Sequence, residues 1–501
     1  MLPLLTSKQI READAYTIVH EPIASIDLME RASNAFTDKF ITLYPDKNLS
    51  ISVYCGTGNN GGDGLAVARM LKAHKYKRVI VKVARFSENS STDFKINFQR
   101  LAKTTIPITE MSSGEAFTDE DADLVIDALL GTGINKPLEG DYKNLIDHLN
   151  SLGKTTVAVD VPTGLFSDGN QPTGSVILKT DYVITFQQGK INFFLPESAA
   201  YIKKWEAVDI GINEKFLISL NSPYQLVQVT DIRKMLRPRR HFSNKGTYGH
   251  SLIIAGQPET MGAALLCASA CVYAGSGLTT ACVPSSGLTA LNSYMPEIMA
   301  IVRHGKAMPE IKWENFAAIG IGPGLGKGKD SLALLKKVLK NLKEPIVIDA
   351  DALNLLSLHK DLLPLIPQGS ILTPHMKEFD RLFGDHETWW ERMQTGIKKA
   401  MELKLVILLK NDYTLIFTPE GKAFFNSTSN AAMASGGMGD VLTGIITALL
   451  AQKYSPDEAA IIGAFIHGKA GDDLALPHLL NVVLPAQVAA RVPVIMAKLM
   501  A

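Results

Sequence analysis

Short apolar runs that alternate with longer amphipathic stretches constrain the fold of this chain more than any other feature. A first series of such runs lies at residues 51–55, 79–83, 124–128, 156–159 and 182–186. A second series lies at residues 251–255, 278–283, 318–321, 346–348, 371–373, 405–409 and 413–417. Turn residues bound each run, and helical patterns separate most of them, which is typical of parallel α/β sheets.

The two series predict two domains. The chain has 501 residues, which is enough for two or three domains. Residues 211–228 separate the series and contain the breakers Asn213, Asn221 and Pro223. We therefore expect two three-layer αβα domains, at residues 1–220 and 221–501, with residues 211–228 as the connection. The loop motifs of the two series differ, which argues against duplication.

Composition excludes several classes of function. Hydrophobic residues make up 46% and charged residues 20% of the chain, and the formal net charge is +1. This balance favours neither nucleic acid nor an anionic membrane as a partner. No apolar run is long enough to span a bilayer, and the first residues lack the basic region of a secretory signal. We expect a soluble cytoplasmic protein.

Cysteine usage gives little support for a disulfide framework or a metal site. The four cysteines, Cys55, Cys267, Cys271 and Cys282, are too few and too irregular for a disulfide framework. Cys267 and Cys271 lie four residues apart on a predicted helix, so a zinc site is an alternative. It would need further ligands nearby, and the sequence does not indicate them.

A glycine-rich loop follows the first predicted strand. Gly56, Gly58 and Gly61 match the G-x-G-x-x-G pattern of dinucleotide-binding folds. A dehydrogenase would carry an acidic residue about twenty positions further on to bind the ribose, whereas Arg85 and Phe86 stand there. A hydride-transfer site and a purely structural turn remain as alternatives for this loop.

Two further loops follow neighbouring strands of the first series, with Asp127 after one strand and Asp160 and Thr163 after the next. Ligands of open α/β sheets bind at this edge. Oxygen atoms of Asn60, Asp127 and Thr163 suit a hard cation, and Asp160 would stay free as an acid or base. The alternative for either aspartate is to cap a helix.

A glycine-rich loop also opens a predicted helix in the second domain. Gly436, Gly437 and Gly439 precede Asp440, and an apolar run follows. Amides at a helix N-terminus bind anionic oxygens, and glycines let a phosphate come close. Asp440 is placed to take a proton from a substrate hydroxyl beside that phosphate. Tight helix packing is the alternative.

A P-loop does not provide the phosphate site. Residues 463–469 have the glycine and lysine spacing of that motif, but Ala470 replaces the required hydroxyl residue. The segment is predicted as helix.

The N-terminal motifs together resemble the NAD(P)HX epimerase family, which has a Rossmann-like fold. The resemblance rests on residues 58–64, on Asp127 with 131–133, and on 160–164. It implies binding of a damaged nicotinamide nucleotide and of K⁺. Asp160, from its place after the strand, is our candidate for the acid/base of epimerisation. The implied substrate-binding residues are Asn59, Asn60, Gly61, Gly62, Asp63, Gly131, Thr132, Gly133 and Asp160. The implied K⁺ ligands are Asn60, Asp127 and Thr163.

The C-terminal motifs resemble the NAD(P)HX dehydratase family, which is ribokinase-like. The resemblance rests on residues 245–249, 262–264, 322–326, 349–354, 372–375 and 436–440. It implies that the hydrated nucleotide contacts Ala263, Gly324, His375 and Asp440, with Asp440 as catalytic base. The implied nucleotide-binding residues are Lys410, Asn411, Asp412, Tyr413, Thr414, Gly436, Gly437 and Gly439. The family often has glycine at the position of Asn411. The alternative for residues 410–414 is a simple hairpin without a binding role. The alternative for His375 is to cap a helix or to pack in the core.

The order of the motifs implies a bifunctional enzyme that repairs hydrated NADH and NADPH. It would epimerise the R and S forms of NAD(P)HX and dehydrate the S form with ADP, giving AMP and phosphate. The implied cofactors are K⁺ in the epimerase domain, Mg²⁺, and ADP as phosphoryl donor. The implied partners are these small molecules and further copies of the chain, with no nucleic acid and no membrane. A ribokinase-type small-molecule kinase and a non-enzymatic N-terminal binding module are the alternatives.

Overall fold

The computed structural model of the chain describes residues 1–304 and 309–501. The chain divides into two compact units. The N-terminal unit consists of Pro3–Ser222 and Glu387–Glu391, and the C-terminal unit of Met1–Leu2, Pro223–His386 and Arg392–Ala501. Each unit combines helices with a largely parallel sheet, which confirms the predicted fold class.

The first part of the chain supplies the elements of the N-terminal unit and one short strand, β1, of the other sheet. The strands are β1 (Leu2–Pro3), β2 (Ser50–Cys55), β3 (Arg78–Arg85), β4 (Ile108–Ser112), β5 (Leu124–Ala128), β6 (Thr155–Val159), β7 (Tyr182–Phe186) and β8 (Trp205–Val208). The α-helices are α1 (Ser7–His20), α2 (Ser25–Leu43), α3 (Asn59–Ala73), α4 (Thr92–Leu101), α5 (Gly140–Ser151) and α6 (Glu214–Ser219).

The N-terminal sheet is parallel throughout and has the order β4-β3-β2-β5-β6-β7-β8. Val53 and Ile126 pack with α2, α3 and α4 on one face, whereas their neighbours Tyr54 and Val125 pack with α5 on the other. Alternate residues of a strand point to opposite faces, so this pattern makes three layers. The strand order runs from β2 to β4 on one side of the sheet and from β5 to β8 on the other, so the topological switch point lies between β2 and β5. The loops after these two strands meet at this point, where such sheets bind ligands.

The rest of the chain forms the C-terminal unit. The strands are β9 (Tyr224–Leu226), β10 (His250–Ile254), β11 (Leu278–Pro284), β12 (Met299–Arg303), β13 (Ala318–Ile321), β14 (Val347–Ile348), β15 (Ile371–Leu372), β16 (Val406–Leu409), β17 (Leu415–Phe417) and β18 (Ala423–Phe425). The α-helices are α7 (Val229–Met235), α8 (Met261–Tyr273), α9 (Leu288–Tyr294), α10 (Lys329–Asn341), α11 (Ala350–Leu358), α12 (Met376–Phe383), α13 (Trp389–Leu403), α14 (Met438–Ala451), α15 (Pro456–Ala475) and α16 (Pro485–Met500).

The C-terminal sheet has the order β1-β9-β18-β17-β16-β15-β14-β13-β10-β11-β12. Strands β10 to β16 pair in parallel, and β17 pairs antiparallel with β16 and β18. Ile253 packs with α8, α14, α15 and α16 on one face, and its neighbour Leu252 packs with α10 and α11 on the other. A Cβ on Gly444 of α14 would lie 2.0 Å from the Cys267 carbonyl oxygen of α8, so glycine permits this helix contact. All four cysteines are buried and unpaired.

The local structure departs from the predicted runs in several places. The connection over 211–228 contains α6 and β9, and Asn213 caps α6 by accepting a hydrogen bond from the Phe216 amide. The strands that lie outside the predicted series are β1, β4, β8 and β12 at sheet edges and β9 and β18 in the sheet interior. Residues 463–469 lie within α15, as predicted, and 410–414 link β16 to β17 as a hairpin. Among the described residues, no helix combines the length and the apolar character needed to cross a membrane.

Candidate active sites

The N-terminal unit contains a cavity of about 550 Å³ at the carboxyl edge of its sheet. The predicted residues that line it are Asn59, Asn60, Asp63, Gly131, Thr132, Gly133 and Asp160. They come from the loops after β2, β5 and β6 and from the start of α3. The structure therefore brings together residues that the sequence placed in three separate motifs.

Gly61 and Gly62 act in packing rather than in the cavity wall. A Cβ on Gly61 would lie 1.8 Å from the Gly56 carbonyl oxygen, and one on Gly62 would lie 2.8 Å from the Met29 sulfur. These two glycines let the first turn of α3 lie close to its surroundings. Their neighbours Asn60 and Asp63 are thereby brought to the cavity.

Asp127 and Thr163 bind each other behind the cavity. The Thr163 hydroxyl donates to Asp127 Oδ1 at 2.7 Å and the Thr163 amide to Oδ2 at 2.8 Å, and the Leu129 amide also donates to Oδ1 at 3.1 Å. Burial raises the pKa of Asp127 to about 6, although these hydrogen bonds oppose the shift. The carboxylate thus binds loop groups and does not cap a helix.

Asp160 is held by the end of β7 and by a buried lysine. Its backbone has φ 64°, a left-handed conformation that is uncommon for residues other than glycine. Asp160 Oδ1 accepts from the Thr185 hydroxyl at 2.9 Å and from the Phe186 amide at 2.9 Å, and it lies 2.8 Å from Lys190 Nζ. The Lys190 side chain is only 2% exposed. Asp160 is thus an oriented carboxylate at the cavity wall.

Sequence reasoning missed three charged residues of this cavity, Arg11, Asp14 and Lys190. Lys190 follows β7 as Asp160 follows β6, so the rule that polar residues after parallel strands meet at one edge would have found it. Asp14 lies on α1, and its sequence context carries no comparable signal. Burial and the nearby Asp160 raise the pKa of Asp63 well above its usual value. The cavity therefore combines three carboxyl groups with one ammonium and one guanidinium group.

The C-terminal unit places Asp440 in the first turn of α14. Gly437 is the N-cap residue with φ 101°, a conformation that favours glycine. The first amides of a helix have no partner within it, so they face the end where Asp440 lies. Burial and the neighbouring Asp349 raise the pKa of Asp440 to about 7, with Lys410 opposing the shift.

Lys410 and Asp349 form an ion pair beside this helix end. Lys410 Nζ lies 2.8 Å from Asp349 Oδ1, and the Thr443 hydroxyl donates to Asp349 Oδ2 at 2.7 Å. Burial lowers the pKa of Lys410, but Asp349 and Glu378 outweigh it and the net shift is upward. A Cβ on Gly439 would lie 3.2 Å from Lys410 Nζ. The hairpin after β16 and the start of α14 therefore meet at one point.

A cavity of about 200 Å³ opens next to this ion pair. The predicted nucleotide-binding residues Lys410, Asn411, Thr414 and Gly439 line it, together with the unpredicted His467. Burial lowers the pKa of His467 to about 4, so its imidazole is neutral at physiological pH. The other predicted residues of this set, Asp412, Tyr413, Gly436 and Gly437, belong to the same loops but do not line the cavity.

Of the three remaining predicted residues, Ala263 lies in the first turn of α8, and Gly324 and His375 follow β13 and β15. A Cβ on Gly324 would lie 3.0 Å from the Ala263 Cβ, so these two residues adjoin. His375 caps α12, because its Nδ1 accepts from the amides of Lys377 at 3.1 Å and Glu378 at 3.3 Å. The capping alternative for His375 thus holds, and the Nε2 of its half-exposed ring lies 3.5 Å from Glu378 Oε1.

Both units carry a ligand-sized concavity at the carboxyl edge of a parallel sheet, and this defines an α/β enzyme with two sites. Residues 25–191 match the family profile of the YjeF-related protein N-terminus, and residues 251–493 match that of NAD(P)H-hydrate dehydratase. Among solved structures, the ADP/ATP-dependent NAD(P)H-hydrate dehydratase from Bacillus subtilis, co-crystallised with ATP and Mg²⁺, is 27% identical. The match covers 55% of this chain and 98% of that one, with a TM-score of 0.48.

Full-length relatives identify the family. The bifunctional NAD(P)H-hydrate repair enzyme Nnr of Moorella thermoacetica is 33% identical over 491 residues, which cover 94% of this chain and 92% of the relative. The protein of the same name from Coxiella burnetii is 32% identical over 479 residues, which cover 95% of each. The chain belongs to the bifunctional NAD(P)H-hydrate repair enzymes. It is therefore an enzyme with two activities, an isomerase and a hydro-lyase.

Proposed function

We propose that the two cavities divide the repair of hydrated NADH and NADPH between them. Residues 1–220 would interconvert the R and S forms of NAD(P)HX, and residues 221–501 would dehydrate the S form with ADP, giving NAD(P)H, AMP and phosphate. The substrate carries a hydroxyl on the carbon next to the ring nitrogen. Inversion at this carbon and loss of its oxygen are different reactions, which is consistent with two differently built sites.

In the N-terminal cavity, Asp160 is the proposed acid/base. Its Oδ1 is engaged by Thr185, Phe186 and Lys190, so the carboxylate cannot turn freely. A positioned carboxylate accelerates proton transfer by about a hundred- to ten-thousandfold. The loop residues Asn59, Asn60 and Asp63 and the segment 131–133 would hold the nucleotide against it.

The K⁺ proposal rests on the donor set at Asn60, Asp127 and Thr163. Carboxylate, hydroxyl and amide oxygens suit a hard cation. Asn60 Nδ2 is buried without a hydrogen-bond partner in the described part of the chain, and turning the amide over would bring its oxygen to the same position. These residues therefore fit the ion. When bound, K⁺ would supply positive charge beside the nucleotide loop.

In the C-terminal site, Asp440 is the proposed base. It would take the proton of the substrate hydroxyl as that oxygen receives the phosphoryl group of ADP. Phosphate is a better leaving group than hydroxide, so its elimination restores the nicotinamide ring. Lys410 and the amides at the start of α14 are positioned to stabilise charge on the phosphoryl oxygens.

Mg²⁺ fits this site as an ion carried chiefly by the nucleotide. Within residues 1–304 and 309–501, no three His, Cys, Asp or Glu side chains gather as a metal site. Mg²⁺ is commonly held by one or two carboxylates plus substrate phosphates. Asp349 and Asp351 both act on Asp440. Since Asp349 is bound to Lys410, Asp351 and Asp440 are the carboxylates that would hold the ion. The ion would neutralise charge on the transferring group.

The observation that supports this function best is Asp440 in the first turn of α14, next to the Lys410–Asp349 pair. The test incubates the full chain with mixed NADHX epimers and ADP and follows the absorbance of restored NADH. Release of phosphate together with NADH would support the proposal, whereas an accumulating phosphoester would identify a small-molecule kinase instead. Self-association into a homo-oligomer remains an expectation that sedimentation of the full chain would test.

A further inference from the structure

Asp14 and Asp160 are two of the three carboxyl groups that line the N-terminal cavity, and they come from separate elements. Asp14 lies on α1 and Asp160 follows β6, and both line the cavity with Lys190. Inversion of a carbon that bears a hydroxyl and a ring nitrogen requires one proton to leave and another to arrive. One carboxylate does not do both at the same moment, so the role of the second group needs an explanation.

The two oxygens of Asp160 are not equivalent. Oδ1 receives the Thr185 hydroxyl, the Phe186 amide and the Lys190 ammonium, at 2.9, 2.9 and 2.8 Å. Across residues 1–304 and 309–501, no group donates a hydrogen bond to Oδ2. Lys190 Nζ also donates to the Phe186 carbonyl oxygen at 3.1 Å, so the ammonium is fixed on two sides. Oδ2 is therefore the oxygen that remains available to accept a proton from substrate.

Asp14 is in a different environment. None of the described residues donates a hydrogen bond to its carboxyl group. Burial raises the pKa of Asp14 to about 6, with Lys190 opposing and Asp160 adding to the shift. The other charged groups that face the same cavity are Asp63 from α3 and Arg11 from α1. Asp14 thus retains a proton to higher pH than an exposed aspartate, which suits a proton donor.

We propose that Asp14 is the acid that works opposite Asp160 in epimerisation, an inference that rests on the proposed function of this site. Asp160 Oδ2 takes the hydroxyl proton, the O–H electrons form a carbonyl, and the bond from that carbon to the ring nitrogen breaks. The electron pair goes to the nitrogen, which takes the proton of Asp14. Rotation about the adjacent carbon–carbon bond turns the aldehyde over. The reverse transfers then close the ring with inverted configuration and restore both carboxyl groups.

The first test measures epimerisation of a single NADHX epimer by the full chain without ADP, so that no phosphoryl donor is present. Asp14→Asn keeps the shape of the neutral acid but cannot release its proton. Its kcat should fall about a hundredfold or more while KM stays unchanged. Glu12→Gln, on the exposed side of the same helix, is the matched control and should behave as wild type. With ADP added, both variants should dehydrate the S form at the wild-type rate.

The second test is the pH profile of epimerisation. Because protonated Asp14 is the active form, wild-type kcat should fall about tenfold per pH unit above about pH 6. Asp14→Glu should keep this falling limb, and Asp14→Asn should lose it. A wild-type profile that stays level above that pH, or an Asp14→Asn variant with wild-type kcat, would overturn the inference alone. A wild-type chain that does not epimerise at all would overturn the proposed function of the site as well.

Discussion

Asp160 in the N-terminal unit and Asp440 in the C-terminal unit are both proposed to take a proton from a hydroxyl, yet the protein holds them in opposite ways. Asp160 Oδ1 receives two hydrogen bonds and an ammonium group. In the described part of the chain, no group donates a hydrogen bond to the Asp440 carboxylate. Asp440 instead lies near a second carboxylate, Asp349, and burial with this neighbour raises its pKa to about 7.

The position of the nearby lysine explains the difference. Lys190 contacts the proposed base directly, whereas Lys410 is bound to Asp349 and only partly offsets the shift in the pKa of Asp440. Hydrogen bonds therefore orient Asp160, whereas burial and the like charge of Asp349 raise the pKa of Asp440 above its ordinary value. A base that must act on a phosphoryl acceptor gains from the higher pKa, because proton affinity near the working pH favours transfer. The comparison predicts that the two activities respond differently to substitution and to pH.

The largest expected effect is the loss of dehydration in Asp440→Asn. The amide keeps the shape of the carboxylate but cannot take a proton, so kcat for NADH recovery should fall about a thousandfold. Epimerisation should be unaltered, because its proposed base lies in the other unit. Asp330→Asn, which changes an exposed aspartate in the first turn of α10, is the matched control. If kcat for NADH recovery in Asp440→Asn stays within tenfold of the wild-type value, Asp440 is not the base.

Asp160→Asn should give the next largest effect, on the other activity. With mixed epimers and ADP, NADH recovery should run in two phases, and the second should be about a hundredfold slower than in wild type. The fast phase consumes the S form, and the slow phase is limited by spontaneous inversion. Asp147→Asn, in an exposed ion pair on α5, provides the control. The thermal melting point should be compared as well, because Lys190 loses its partner. Equal second phases in variant and wild type would contradict the assignment.

The two activities should differ in how their rates depend on pH, with changes of about tenfold per pH unit. Dehydration needs Asp440 in its ionised form, and Asp440 is protonated below its pKa of about 7. Its rate at saturating substrate should therefore rise about tenfold per pH unit up to that value and then level off. Lys410→Met removes the cation that lowers this pKa, so the midpoint should move to higher pH. If the wild-type rate of dehydration does not change with pH below this midpoint, dehydration does not depend on ionised Asp440. The proposed difference between Asp160 and Asp440 would then be wrong.

Most interior strands were predictable from the sequence, but the edge strands and the three-residue interior strands β9 and β18 were not. The bounds of β5, β7 and β13 match the predicted runs, because strands buried on both faces are continuous apolar runs. The edge strands β4, β8 and β12 lie mostly at partly or fully exposed positions, so they lack such a run. Their positions follow from pairing with a neighbour, which no local pattern encodes.

The residues of the two sites also differ in whether the sequence could predict them. Polar residues at the end of a buried strand or directly after it, such as Asp127, Asp160 and Lys410, could be assigned to a sheet edge from the sequence. Asp14 could not, because its position in the cavity depends on how α1 packs against elements far along the chain. The capping role of His375 was only one of its alternatives, because the geometry of its hydrogen bonds depends on the exact start of α12.

The smallest expected effect tests whether the nucleotide uses the surface between Lys410 and α14. A Cβ on Gly439 would lie 3.2 Å from Lys410 Nζ and 3.7 Å from Asp349 Oδ2, so the flexible lysine must shift by a few tenths of an ångström. Gly439→Ala should therefore raise KM for ADP about threefold, the order of effect expected from a small displacement at a binding surface. Alanine favours helix by up to about 1 kcal/mol over glycine, so stability should be equal or slightly higher.

The matched control for this change is Gly328→Ala, because a Cβ there meets nothing within 4 Å. Its KM for ADP and its epimerisation rate should both equal those of wild type. Epimerisation by Gly439→Ala should also be unchanged, since the substitution lies in the C-terminal unit. If KM for ADP in Gly439→Ala equals that of wild type, the donor does not bind against Lys410. Lys410 would then act only as the ion-pair partner of Asp349. The difference between Asp160 and Asp440 would depend only on burial and on Asp349.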